Sequence, residues 1–228
     1  MKIGILGTGE VGRALAPALR HAGHDIVIGT RDPDTTRREN EAVRTLVDAH
    51  SGLRLATFRH AAASADVIVN ALPGPLCVDL LRELADVVAG GIVLDVSSPF
   101  DGKAEGAVLH PVNTDSLGEQ IQRALPHARV VKTLNTMAAE LMANPVATRR
   151  IRQTVFTSGD DPEAKETVVA LLRQLGWHDI LDLGPIRTAR ATEMLLRMWI
   201  DLYQALGTDH FGFRIVRGDS ADSAGTSP

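Results

Sequence analysis

The chain has 228 residues and a mass of 24.4 kDa, a size typical of one globular domain with at most a small appendage. A net charge of −4 and only five Phe, two Trp and one Tyr argue against nucleic acid as a partner, because phosphates bind positive surfaces and single strands stack on aromatic rings. No apolar run reaches the ~20 residues of a membrane span, and the single cysteine, Cys77, has no disulfide partner in the chain. We therefore expect a cytoplasmic protein with no membrane contact.

Apolar strands alternate with helical stretches along the first two thirds of the sequence. A strand over 1–7, a helix over 11–22 and a strand over 25–29 form a first βαβ unit. The elements that follow are a helix over 34–49, strands over 53–57 and 67–69, a helix over 76–88, a strand over 92–96, a helix over 115–125 and a strand at 130–131. Strands without polar alternation are buried on both faces, so this order predicts a doubly wound, mostly parallel α/β Rossmann sheet.

The pattern restarts after Asn144 and Pro145 with a strand over 154–157, a helix over 162–175, a strand over 180–183 and a long helix over 186–206. We predict a first domain over 1–147, a small C-terminal α/β cap over 148–216 that ends in the long helix, and a flexible tail over 217–228. The long helix is apolar on more than one face. A homodimer would cover its second face, and burial within its own subunit is the alternative.

A glycine-rich motif lies between the first strand and the first helix. Three spaced glycines in this context form a dinucleotide-binding fingerprint, in which Gly7 allows a tight turn, Gly9 lets the pyrophosphate approach and Gly12 packs helix on strand. The helix N-terminus adds free N–H groups and the positive end of its dipole. The predicted cofactor-binding residues of this loop are Gly7, Thr8, Gly9, Glu10, Val11 and Gly12. A glycine turn without a ligand is the alternative.

The end of the second strand distinguishes NADP from NAD. It has no carboxylate for a ribose 2′-hydroxyl, whereas the Thr30 hydroxyl and the planar donors of Arg31 suit a 2′-phosphate, so we predict NADP. Asp32 is predicted to cap the next helix. Arg37 and Arg38 on that helix are candidates for added phosphate contacts, and a solvated helix face is the other explanation for both.

Three further strand ends carry polar residues, at the edge where open α/β sheets bind their ligands. Ribose or nicotinamide contacts are predicted for Asn70, Ala71, Leu72, Ser97, Asn135 and Thr136. Ordinary turn chemistry, which Pro and Gly favour, is the alternative explanation for each segment.

Other reactive side chains give no catalytic or metal signal. Lys132 and Asn135 have the Lys-x-x-Asn spacing of the hydroxyacid dehydrogenases, whose lysine acts as an acid, but Lys132 lies within a predicted strand, so we predict no such role. The eight histidines lack metal-ligand spacing, and Cys77 lies among Leu and Val. We predict no metal site and no catalytic side chain.

Longer motifs run along the chain to about residue 215. They are ILGTG at 5–9, VIGTRDP at 27–33, VVKTLNT at 130–136, SGDD at 158–161 and DLGP at 182–185, followed by Arg190 and Glu193. With these motifs the chain resembles the NADPH-dependent coenzyme F420 reductases and their relatives, which include the oxidoreductase domain of the STEAP metalloreductases.

The resemblance implies hydride transfer between NADP(H) and a second cofactor stacked on the nicotinamide, either a deazaflavin (F420) or a flavin such as FMN. It assigns Thr8 to the phosphate loop, and Thr30 and Arg31 to the 2′-phosphate. The second-substrate pocket that it implies contains Ser98, Pro99, Phe100 and Met137. Where F420 reductases have His-Thr-Ile-Pro, residues 135–138 read Asn-Thr-Met-Ala, which is closer to flavin-using branches. A homodimer through the long helix is implied as well.

Two other functions stay open on the sequence. One is an NADPH-dependent reductase of ferric chelates or of a small carbonyl or imine, and the other is a non-catalytic NADP sensor. The reductase would act on a small molecule, whereas the sensor would bind NADPH and signal through a partner. The scarcity of aromatic residues predicts that the nicotinamide, the backbone, Pro99 and Met137 hold a second ring, rather than an aromatic sandwich. This ligand is therefore predicted to be an exchangeable substrate.

Overall fold

The computed structural model describes residues 1–100, 108–145 and 153–217, which contain one sheet of eight strands. The strands are β1 (Lys2–Leu6), β2 (Asp25–Thr30), β3 (Arg54–Thr57), β4 (Val67–Asn70), β5 (Ile92–Asp95), β6 (Arg129–Thr133), β7 (Thr154–Gly159) and β8 (Asp179–Asp182). Their order in the sheet is β3-β2-β1-β4-β5-β6-β7-β8. Every neighbouring pair is parallel except β6 and β7, which confirms the predicted mostly parallel α/β fold.

Helices cover both faces of the sheet. They are α1 (Glu10–His21), α2 (Pro33–Glu39), α3 (Glu41–Ala49), α4 (Phe58–Ala63), α5 (Gly74–Arg82), α6 (Ala85–Val88), α7 (Leu117–Ala124), α8 (Ala139–Ala143), α9 (Pro162–Gln174) and α10 (Ala189–Leu206). One apolar core contains Leu15 of α1, Leu141 of α8 and Leu171 of α9, and a second contains Leu81 of α5 and Ile121 of α7. Two separate cores on one sheet are what a doubly wound fold requires.

Two predicted helices are each divided in the structure. The stretch 34–49 forms α2 and α3, because Asn40 has an extended backbone (φ −102°, ψ 97°) and its side chain accepts a hydrogen bond from the Val43 N–H to cap α3. The stretch 76–88 forms α5 and α6, with Glu83 and Leu84 between them. The six-residue α4 and the five-residue α8 were not predicted, because so few residues do not display a 3.6-residue period.

The C-terminal region extends the same sheet. β7 runs antiparallel to β6, with Lys132 opposite Ser158, and β8 runs parallel to β7. The predicted long helix is α10, preceded by a short 3₁₀ turn at Ile186–Thr188. The predicted boundary at residue 147 and residues 218–228 of the predicted tail lie outside the described residues. Among the helices of the described ranges, none combines the length and the apolar composition that a bilayer crossing needs.

A crevice forms at β1, where the order of strands changes direction. β1 pairs with β2 on one side and with β4 on the other. The helices that follow β1 and β4 pack in different cores, α1 in one and α5 in the other, so they leave the sheet toward opposite faces. In open α/β sheets this switch point is the usual ligand site.

Candidate active site

Two adjoining cavities open at the carboxyl ends of the strands. The larger has a volume of about 930 Å³ and the smaller about 390 Å³. Gly9, Ala71, Leu72 and Pro73 line both of them. The two cavities therefore form one cleft, centred on the switch point between β1 and β4.

The glycine loop forms the floor where the cavities meet. Gly7 has φ +120°, and a Cβ on Gly12 would lie 2.2 Å from the Gly7 carbonyl oxygen, whereas a Cβ on Gly9 would meet no atom within 4 Å. Arg13 Nη1 donates to the Thr8 carbonyl at 2.8 Å and braces the loop. The first N–H groups of α1 have no partner within the helix. This open cradle fits a pyrophosphate, as the fingerprint predicts.

The end of β2 lines the far part of the larger cavity. Thr30 is buried, and its hydroxyl lies 2.7 Å from that of Thr36. Arg31 is exposed and lines the cavity. Asp32 caps α2 by accepting hydrogen bonds from the backbone N–H and the hydroxyl of Thr35, and these bonds lower the pKa of Asp32. The predicted cap is confirmed.

Arg31 is the one cationic side chain that lines the larger cavity within the described ranges. The exposed side chains of Arg37 and Arg38 line neither cavity, and they pair with Asp48 and Glu39. Their contacts fit a solvated helix face. Carboxylates also line the larger cavity, at Asp32, Glu39, Glu41, Asp79 and Glu83. A phosphate bound at this end would therefore depend on Arg31.

The smaller cavity contains most of the residues predicted for the nicotinamide and the second substrate. Those that line it are Ala71, Leu72, Ser97, Ser98, Phe100, Asn135 and Met137, and Glu10 and Val11 of the predicted glycine loop line it as well. Leu196 and Trp199 of α10, together with Asp209, were not predicted and line it too. Trp199 stacks on Tyr203 and Phe211, with ring centroids 5.7 and 5.5 Å apart. With Phe100 and Trp199 present and Pro99 absent from the lining, the cavity is more aromatic than the composition predicts.

Four predicted residues line neither cavity: Gly12, Asn70, Pro99 and Thr136. The Asn70 side chain is fully buried, where it donates to Asp95 Oδ1 at 2.9 Å and accepts from the Leu72 N–H at 3.3 Å. Thr136 is buried as well. These two polar residues thus lie beneath the cleft rather than at its surface.

Asn135 connects the end of β6 to α10. The preceding Leu134 has φ +62°, a left-handed conformation that is rare for a branched side chain. After this turn, Asn135 Nδ2 donates to the Thr192 carbonyl oxygen at 3.0 Å. The amide nitrogen that the sequence suggested for a cofactor contact therefore holds α10 against the sheet.

A buried ionic cluster, formed by Asp95, Lys132 and Glu193, lies beneath the smaller cavity. Lys132 Nζ is 2.9 Å from Asp95 Oδ2, 3.0 Å from Glu193 Oε1 and 2.7 Å from the Ser97 carbonyl oxygen. Burial opposes the charge on Lys132, but the two carboxylates outweigh it and raise the pKa of the lysine above its ordinary value. No sequence signal marked Asp95, because strand order decides that it faces Lys132.

Two of the residues without a predicted role can now be placed. Lys132 lines neither cavity, in agreement with its predicted position in a strand. Burial raises the pKa of Cys77 to about 12, so its thiol is inert at neutral pH. Within residues 1–100, 108–145 and 153–217, no three His, Cys, Asp or Glu side chains are grouped as metal ligands.

The Rossmann sheet, the glycine loop and the cleft at the switch point define a dinucleotide-binding protein. The sequence profile described as NADP oxidoreductase, coenzyme F420-dependent, matches residues 2–99. A solved protein of Arthrobacter sp. FB24, described as a candidate F420-dependent NADP reductase, is 48% identical with a TM-score of 0.91, over 95% of this chain and 100% of that one. The chain belongs to the family of F420-dependent NADP oxidoreductases, and the predicted resemblance is confirmed.

The chain is also similar to two curated relatives of different kinds. The F420-dependent NADP reductase of Methanocaldococcus jannaschii is 27% identical over 95% of this chain and 98% of its own length. The metalloreductase STEAP3 of Rattus norvegicus is 31% identical over 85% of this chain. The chain spans only 36% of that metalloreductase.

Proposed function

We propose that the chain transfers a hydride between NADP(H), whose adenosine and phosphate groups lie in the larger cavity, and a deazaflavin or flavin that stacks on the nicotinamide in the smaller cavity. The observation that carries this proposal is the shared wall of Gly9 and residues 71–73, which makes the two cavities one cleft. Bound NADPH supplies the hydride when its nicotinamide meets an acceptor ring. The protein's own contribution is to hold both ligands in place and to exclude water between them.

The cleft contains groups for each part of NADP(H). The glycine loop and the free N–H groups of α1 would hold the pyrophosphate, and Thr30 with Arg31 the 2′-phosphate. Phe58 and Leu76 form an apolar part of the larger cavity that suits a base. The residues that line only the smaller cavity, such as Ser97, Asn135 and Trp199, remain for the nicotinamide and the second ring.

The proposal is tested by mixing the purified protein and NADPH with F420, with FMN, with ferric citrate and with a panel of small carbonyls and imines. The loss of nicotinamide absorbance is followed for each acceptor. Turnover with F420 or FMN is expected. A protein that turns over neither of them does not have the proposed function, whatever else it reduces.

Ferric-chelate reduction is the second candidate, favoured by the 31% identity to the rat metalloreductase. Faster turnover of ferric citrate than of F420 and FMN would select it. A protein that binds NADPH but does not oxidise it in the presence of any of these acceptors would instead be an NADP sensor.

Replacement of Arg31 by Ala is expected to weaken the binding of NADPH far more than the binding of NADH. One charge-assisted phosphate contact is worth about 1.5–3 kcal/mol, or roughly 10- to 150-fold in affinity. Titration of both cofactors measures the two dissociation constants. Arg37→Ala removes the same charge at a residue that, like its partner Asp48, lines neither cavity, so it is the control and should change neither constant. If Arg31→Ala loses affinity for NADPH and NADH by the same factor, the 2′-phosphate assignment is contradicted.

A homodimer through α10 forms part of the proposal. The helix buries Leu196 and Ile200 but leaves Met194, Met198 and Tyr203 exposed. Met198→Glu places a charge in this apolar face and is expected to give a monomer in sedimentation velocity, because burial of an unpaired charge is costly. Val112→Glu, at another exposed apolar residue outside α10, should stay dimeric. A monomeric parent protein would contradict the dimer.

A further inference from the structure

We propose that Asp95, Lys132 and Glu193 form a positioning cluster that fixes the width of the smaller cavity and thereby the affinity for the second substrate. The inference rests on the proposed function of that cavity. The cluster joins two parts of the cavity lining, which are the end of β5 and the helix α10.

The first side is Ser97, which lines the cavity and is held through three of its atoms. Its N–H and its hydroxyl donate to Asp95 Oδ1 at 3.1 and 2.6 Å, and its carbonyl oxygen accepts from Lys132 Nζ at 2.7 Å. Asn70 donates to the same Asp95 oxygen. A residue bound at every polar atom cannot shift without breaking the cluster.

The second side is α10, which Glu193 fixes to the sheet. Glu193 Oε1 lies 3.0 Å from Lys132 Nζ, and its two oxygens accept from the N–H groups of Leu117 and Gly118, at 2.7 and 3.0 Å. Leu196 lies almost one turn after Glu193 and Trp199 almost two turns after it, and both line the cavity. The position of Glu193 therefore sets how far these two side chains lie from Ser97.

Lys132 acts through its neighbours rather than on a ligand. Its side chain has no exposed surface, and its ammonium group, which has three protons, has three acceptors. Buried charges of both signs in one hydrogen-bonded network permit few alternative arrangements. Such a network suits a fixed distance between two walls and leaves no proton to donate to a substrate.

The test is Glu193→Gln, since an amide has one acceptor oxygen for the three donors that Glu193 now serves. The KM for F420 or FMN is expected to rise about tenfold or more, as small displacements of binding groups cost one to two orders of magnitude. The dissociation constant of NADPH should change by a much smaller factor, because no residue of α10 lines the larger cavity, which holds the adenosine and phosphate groups. Asp161→Ala, which removes the cap of α9 away from the cavity, is the control for lost stability.

A second measurement does not depend on turnover. With 5-fluorotryptophan incorporated, the ¹⁹F spectrum contains separate signals for Trp177 and Trp199, assigned through Trp199→Phe. Glu193→Gln should shift the Trp199 signal, while Asp161→Ala should leave it unchanged. An unshifted Trp199 signal, or a KM that rises equally in both variants, would overturn the positioning role. A parent protein that reduces neither acceptor would refute the proposed function alone, and the ¹⁹F comparison would still decide the inference.

Discussion

Lys132→Met is expected to destabilise the protein by about 3–5 kcal/mol, the usual cost of removing one partner of a buried ion pair. The melting temperature should fall by roughly 6–20 °C for a chain of this size. The reason is that Asp95 and Glu193 would face each other without a counter-ion, both with fully buried side chains. Thermal unfolding followed by circular dichroism measures the loss.

The pH dependence of this variant has a defined sign. Burial without a cation raises the pKa of a carboxyl group in the folded state above its unfolded value. The folded variant then binds more protons than the unfolded chain, so its stability should rise as the pH falls from neutrality. The deficit relative to the parent protein is therefore expected to be smaller at mildly acid pH.

Lys165→Met is the matched control. Lys165 pairs with Asp182, whose side chain is half exposed, so the same substitution should cost only about 0–1 kcal/mol. Equal losses of stability in the two variants would show that the buried cluster contributes no more to the stability of the protein than the partly exposed ion pair does.

The second large effect is expected at Gly9. Its backbone, at φ −69°, suits any residue, and an added Cβ meets no protein atom, so Gly9→Ala should fold with unchanged stability. The new methyl group would project into the cleft where the pyrophosphate is proposed to bind. Overlap of this kind costs about 1–3 kcal/mol, which lowers NADPH affinity roughly 5- to 150-fold. Fluorescence titration with NADPH measures the change.

Gly12→Ala separates ligand effects from folding effects at the same loop. A Cβ at Gly12 would lie 2.2 Å from the Gly7 carbonyl oxygen, so this variant should lose stability as well as affinity. If Gly9→Ala binds NADPH as tightly as the parent protein does, the proposed pyrophosphate site is contradicted.

Much of the fold was predictable because local patterns determine it. Apolar strands and the glycine loop mark the first βαβ unit, and Asp32 is a helix cap that its position alone predicts. The break at Asn40 was harder to predict, since the helical pattern continues on both sides of a residue that leaves the helix to cap the next one.

The site was predictable only where its residues lie close to the end of a strand. Residues that directly follow strands, such as Ser97 and Asn135, were identified because parallel strands end at one edge. Trp199 reaches the site through the packing of α10, which no local pattern reports, and the contact of Glu193 with Lys132 depends on the same packing. The antiparallel direction of β7 and the position of α10 are determined by tertiary packing.

The wall that the two cavities share has a thermodynamic consequence. Gly9 and residues 71–73 belong to both binding surfaces, so a ligand on one side alters the surface that the other ligand meets. Binding free energies are state functions, so whatever factor NADPH applies to the affinity for the acceptor, the acceptor applies to the affinity for NADPH. The two ligands are therefore linked through three strand-end residues and one glycine, with no movement of a domain.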